Sequence, residues 1–136
     1  MKRHRTLLIF LAAALVAIGG CATKTAQPTV EIVSLSHWPV QNALKPIREM
    51  LGTFGTRIRL VELNAEAADG EARLASAGLK GHIPLVIFID GSCRIKRPDG
   101  TVVEFVSFPA AAGNPMGLNG AWTARDLEVA IKERLK

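Results

Sequence analysis

Five consecutive apolar residues, Leu85-Val86-Ile87-Phe88-Ile89, constrain this chain more than any other feature. They lie between Ile83-Pro84 and the turn pair Asp90-Gly91. The run is short, and β-branched and aromatic side chains fill it, so it predicts a strand rather than a helix. Side chains alternate sides along a strand, so one that is apolar throughout has both faces covered. The run therefore predicts the central strand of a layered α/β domain.

The flanking sequence supplies the other elements. Val30, Ile32, Val33 and Leu35 predict a strand over 30–35. Pro39 suits the first turn of a helix, where a missing N–H costs nothing. Val40, Ala43, Leu44, Ile47, Met50, Leu51 and Phe54 then fall at helical spacing. Pro46 lies inside that pattern and is expected to kink the helix, with Gly52 or Gly55 ending it. Ile58, Leu60, Val61 and Leu63 predict a second strand over 57–63. Asp69 is a candidate cap for a short Ala-rich helix over 71–77, closed by Gly78. Asp90-Gly91 and Pro98-Asp99-Gly100 mark turns around hairpin strands at 93–96 and 101–108.

Pro109 opens and Ala121 closes a long loop rich in Ala, Gly, Asn and Pro, a candidate lid or docking surface. A true hairpin at Asp90-Gly91 would put this loop at the far end of the sheet, and a bulge would put it near His37 and Pro84. The last helix is well signalled. Thr123 and Asp126 form a capping-box pattern, Trp122 and Leu127 a hydrophobic staple, and Leu127, Ala130, Ile131 and Leu135 a buried stripe. The order is β-α-β-α-β-β-α, with an extra strand possible. The opening βαβ unit is expected to be right-handed with parallel strands.

The first residues concern address rather than fold. Lys2, Arg3 and Arg5 precede an uncharged apolar run over 7–18, too short to span a bilayer. Ile18-Gly19-Gly20-Cys21 follows. This resembles the lipobox of bacterial lipoproteins, which implies cleavage before Cys21 and lipidation of its thiol. It divides the chain into a signal peptide over 1–20, a lipidated tether over 21–29 and one domain over 30–136. Ala22 after the cysteine implies, by the same resemblance, the outer membrane, with the domain facing the periplasm. Two or three acyl chains would hold the protein on a membrane stably. Without the leader, fourteen basic residues stand against twelve acidic. That balance, with no basic stripe, argues against a nucleic-acid partner.

The element order, with Trp38-Pro39-Val40-Gln41 leading into a helix that contains Pro46, and Ile83-Pro84 before the apolar strand, resembles the thioredoxin fold over most of 30–136. The resemblance implies a three-layer sandwich, a mixed sheet of four to five strands flanked by helices. It also implies a cis-proline turn at Pro84 facing the start of the first helix. Counting from Pro46, Trp38 and Gln41 stand where that family carries its two cysteines. Dithiol chemistry needs a thiolate and a resolving thiol, so no such activity is expected. His37, Trp38, Pro39, Gln41, His82, Ile83 and Pro84 form the candidate binding face. Trp38 is either an interface anchor or a plug packed against Pro84.

Three functional classes follow. The first is a redox-inactive module that binds a protein or peptide in the cell envelope. The second is a metal carrier using His37 and His82, with Met116 as a soft third ligand, or a single-thiol redox protein using Cys93. The third is a structural envelope lipoprotein. Cys93 is the one thiol left in the processed domain, and a buried small residue is its simplest role. No cofactor is implied, and no catalytic triad, phosphate loop or zinc motif stands out.

Overall fold

The computed structural model of this chain describes residues 26–110 and 120–136. The expected signal peptide over 1–20, Cys21, Met116 and the middle of the 109–121 loop lie outside the described residues. The elements are β1 (Thr29–Ser34), α1 (Trp38–Gly52), β2 (Arg59–Asn64), α2 (Ala68–Ser76), β3 (Leu85–Ile89), β4 (Arg94–Lys96), β5 (Val102–Glu104) and α3 (Ala124–Arg134). Among the described residues no helix is long and apolar enough to cross a membrane.

The apolar run forms a strand and all five residues of β3 are inaccessible, but it is not the expected central strand: β1 takes that place, and residues 105–107 cover the outer edge of β3. It pairs antiparallel with β1, which pairs parallel with β2, giving the order β2-β1-β3. On one face Glu31 and Val33 stand opposite Phe88 and Val86. The Arg73 guanidinium of α2 lies 3.6 Å from the centre of the Phe88 ring and pairs with Glu31. That stacking and ion pair bring a charge onto an apolar face without leaving it unpartnered. The opposite face, with Val30, Ile32, Ile87 and Ile89, is covered by α1 and α3, which pack together.

The sheet is smaller than the expected four to five strands. It has three, and β4 and β5 pair only with each other, as a separate two-stranded sheet. The reason lies at Phe105. Its N–H donates to the Cys93 carbonyl, while its own carbonyl accepts from Ile87 N. The chain thus leaves β4 and crosses to the outer edge of β3. There Ser107 N bonds Leu85 O at 2.8 Å, but only an isolated bridge, Val86 to Val106, forms. Ser107 has φ of 67°, a left-handed conformation that strands do not sustain.

Helix α1 runs unbroken through Pro46. The carbonyl left without that N–H belongs to Asn42, an exposed residue whose backbone water can serve. Strand β2 begins later than expected because a single 3-10 turn, Gly55–Arg57, intervenes. As an edge strand it leaves Leu60 42% exposed. Asp69 does not cap α2. The N-cap is Ala67, and the Asp69 carboxylate accepts from Gly70 N instead. Gly78, with φ of 71°, closes that helix as expected. The capping box at Thr123 and Asp126 forms, and Trp122 and Leu127 are both fully buried.

The expected tether over 21–29 is too long. Thr29 already belongs to β1, and Pro28 is buried with its carbonyl bonded to Arg59 N. Gln27 Nε2 donates to Thr56 O and Ile58 O, at 2.6 and 3.0 Å. Gln27 and Pro28 are thus already part of the domain.

Candidate functional site

Strands β1 and β3 run in opposite directions, so the end of β1 meets the start of β3. Leu35 N bonds Pro84 O at 3.0 Å. That contact brings His37, Trp38, Pro39 and Gln41 to the same end of the sheet as His82, Ile83 and Pro84. His37 is the N-cap of α1, in an extended backbone conformation and without a side-chain cap bond. Its imidazole therefore stays available. Its ring centre lies 6.2 Å from that of His82, and its Nε2 lies 3.6 Å from Glu66 Oε1.

Trp38, at the first position of α1, is 72% exposed. It therefore does not plug a cleft against Pro84. An indole held in water keeps a large apolar surface unburied, which is uncommon outside interfaces. Gln41 has a different role. Its Nε2 donates to Leu35 O at 2.8 Å and its Oε1 accepts from Arg48 Nη2 at 3.0 Å. Arg48 in turn grips Glu62 of β2 with Nε and Nη2. This chain of bonds fixes the turn between β1 and α1, so Gln41 holds the Trp38 turn in place.

The expected cis-proline turn is not formed, because no cis peptide bond occurs among the described residues and the Ile83–Pro84 bond is trans. Pro84 is buried, and its carbonyl is already used by Leu35 N. Beside it lies an open cleft of about 230 Å³, lined by Leu35, Glu66, Leu74, Leu79, His82 and Ile83 among others. Glu66 was not singled out from the sequence. A signal existed: β1 and β2 are parallel, so the residues just after β2 emerge at the same end as His37. Asn64 then turns the chain by accepting from Glu66 N at 3.0 Å.

The long loop springs from this same end. Asp90 and Gly91, with φ of 49° and 86°, form a true two-residue turn closed by reciprocal Ile89–Ser92 bonds. The expectation tied to a true hairpin, a loop at the far end, is nevertheless overturned. The chain returns to β3 at Phe105 and runs antiparallel to it toward Leu85, so the loop starts from the Leu85 end of β3, where Pro109 lines a cavity with Asn42, Ala43 and Pro46 of α1. Gly120 N to Phe108 O and Ala110 N to Trp122 O, at 2.6 and 2.7 Å, pin the two ends of the loop together.

Cys93 lies beyond the Asp90-Gly91 turn, away from this face, and is buried. Burial, then the nearby Glu104 charge, push its thiol pKa up, against the arginines 73 and 94. This is the reverse of an activated thiolate. The native protein is expected to resist thiol alkylation near pH 8 and to react once unfolded, as mass spectrometry after trapping would read. A raised folded pKa leaves stability whole below the unfolded value of about 9 and erodes it as pH climbs through the folded value. Cys93→Ala is expected to remove that slope between wild-type and variant unfolding curves. Among the described residues no three His, Cys, Asp or Glu side chains are placed to hold a metal ion.

Comparison with family models, curated proteins and solved structures gives no match to this chain.

Proposed function

We propose that this chain is an exported lipoprotein anchored through Cys21, whose thioredoxin-like domain has no dithiol and binds a protein or peptide partner in the cell envelope. The observation that carries the reading is Trp38, 72% exposed at the start of α1 and next in sequence to His37, whose ring lies 6.2 Å from that of His82. The strand directions and the path of residues 105–107 along β3 support the thioredoxin-like part, as does Pro46 inside α1. Trp38 and Gln41 occupy the positions that the resemblance assigns to cysteines, so the face is free for recognition rather than electron transfer. The leader pattern before Cys21 supports the anchor, and the outer membrane is its proposed address. The trans Pro84 bond and its occupied carbonyl move the contact surface from Pro84 toward Trp38 and the neighbouring cleft.

The test is Trp38→Ala in the full chain. An exposed side chain costs little to remove, so unfolding stability is expected to change by less than about 0.5 kcal/mol. Recovery of a specific envelope partner is expected to fall about tenfold or more, as a central interface tryptophan would require. Unchanged recovery of the same partner would reject the reading.

A second reading is a weak, two-imidazole metal site at His37 and His82, whose ring centres lie 6.2 Å apart. Titration with zinc or copper ions, repeated with His37→Ala and His82→Ala, tests it. Binding lost in both variants would support a carrier.

A further inference from the structure

The candidate face occupies one end of the sheet, and the opposite end is not featureless. Thr29 opens β1 at that opposite end, with Arg59 beside it in register. Six residues of β1, roughly 20 Å of strand, separate the two ends. Ala26, Gln27, Thr56, Arg57, Arg134 and Leu135 surround a shallow cavity there. Arg57, Arg59, Arg134 and Lys136 are all exposed at this end. Against them stand two carboxylates, Asp90 beside Arg134 and Glu133 beside Lys136.

Arg57 donates only to backbone carbonyls and lies over the Phe54 ring. Among the described residues neither Arg57 nor Arg59 contacts a carboxylate. At the other end the acids Glu66 and Glu71 line the cleft beside His82. The Thr29 end therefore carries an excess of basic side chains, whereas at the other end Glu66 and Glu71 share the cleft region with the exposed Lys80.

Position gives this asymmetry a meaning. The Gln27 bonds to Thr56 O and Ile58 O hold the start of the domain at its basic end. From Ala26 back to Cys21 the chain reaches at most roughly 18 Å. A lipid on Cys21 therefore keeps the basic end close to the bilayer. Basic side chains within a Debye length of an anionic leaflet are attracted to it, and salt screens the attraction. We propose that the end carrying Arg57, Arg59, Arg134 and Lys136 is a membrane-docking surface. It rests on anionic phospholipid headgroups and turns Trp38 away from the bilayer. The inference rests on the anchor reading above and adds an orientation and a lipid class to it.

The experiment uses the full lipidated chain in vesicles of three parts phosphatidylethanolamine to one part phosphatidylglycerol. A bimane label is placed at Thr56→Cys on the basic end or at Ser36→Cys on the opposite end. A nitroxide on the lipid headgroup serves as quencher. Quenching at position 56 is expected to exceed that at position 36 by about threefold or more. The difference is expected to collapse in phosphatidylcholine vesicles and in the Arg57→Glu/Arg59→Glu variant. Arg59→Glu alone, whose side chain makes no hydrogen bond or ion pair among the described residues, is expected to reduce it in part without loss of fold. Equal quenching at the two positions, or a preference that survives charge reversal, would overturn the docking surface while leaving the anchor intact. A chain that fails to associate with either vesicle would overturn anchor and docking together.

Discussion

Trp122→Ala is expected to destabilise the domain by about 3–5 kcal/mol, measured as a shift in urea midpoint at constant slope. The indole is fully buried and packs edge-on against Phe105, with ring centres 5.5 Å apart at 78°. Its Nε1 donates to Val106 O and Ser107 O, each at 3.2 Å. The alanine variant loses the transfer energy of the largest core side chain, the aromatic pair and two hydrogen bonds at once. A domain of this size holds only about 5–15 kcal/mol in total, so the variant loses a large share of it. Trp122 closes the base of the long loop through the Ala110 bond and stands at the head of α3. Trp122→Phe keeps the ring contact and is expected to recover much of the loss.

The second large effect is expected at Gly70. A methyl group there would lie 1.9 Å from the Asn64 carbonyl oxygen and 2.7 Å from its carbon. Both belong to backbone, so no side chain can swing aside. Gly70→Ala must push the first turn of α2 off the end of β2. The expected cost is about 3 kcal/mol or more, at or above the top of the usual overpacking range. Gly52→Ala is the control. Nothing lies within 4 Å of a methyl group there, and alanine is the better helix former. It is expected to leave stability unchanged or raise it by up to about 1 kcal/mol. Parallel thermal or urea unfolding of the two variants separates close approach from backbone freedom. Similar behaviour of both would contradict the packing of α2 on β2.

The parts of the fold legible in the sequence are those where local pattern and tertiary environment agree. Leu85–Ile89 is apolar at every position and is covered on both faces. Thr123 and Asp126 form their box because every partner lies within one helical turn. Asp69 shows the limit of that logic. The helix starts three residues earlier than expected, at Ala68, so the best cap former in the segment falls inside the first turn. Leu60 and Leu63 predict a strand correctly but not its exposure, which follows from the edge position of β2.

The site was legible as a set of residues and not as an arrangement. His37, Trp38, His82 and Pro84 converge as expected because the directions of β1 and β3 require it. The two tryptophans have opposite fates, Trp122 buried and Trp38 exposed, although each stands at a helix start. What separates them is the surrounding tertiary structure. Phe105 and the strand edge enclose Trp122, and no element crosses in front of Trp38 among the described residues. The place of the long loop depended on Phe105 changing partners from β4 to β3, a long-range choice that no local turn signal carries.

The central claim is that the Trp38 end of the sheet is a recognition surface. The most direct test is site-specific photocrosslinking in intact cells from position 38 of the full chain, with exposed Lys132 on α3 as the comparison position. The account predicts one discrete adduct from position 38, absent from position 132 and diminished by His82→Ala or by substitution of Glu66 in the adjoining cleft. No adduct from position 38, or the same adducts from both positions, would contradict it.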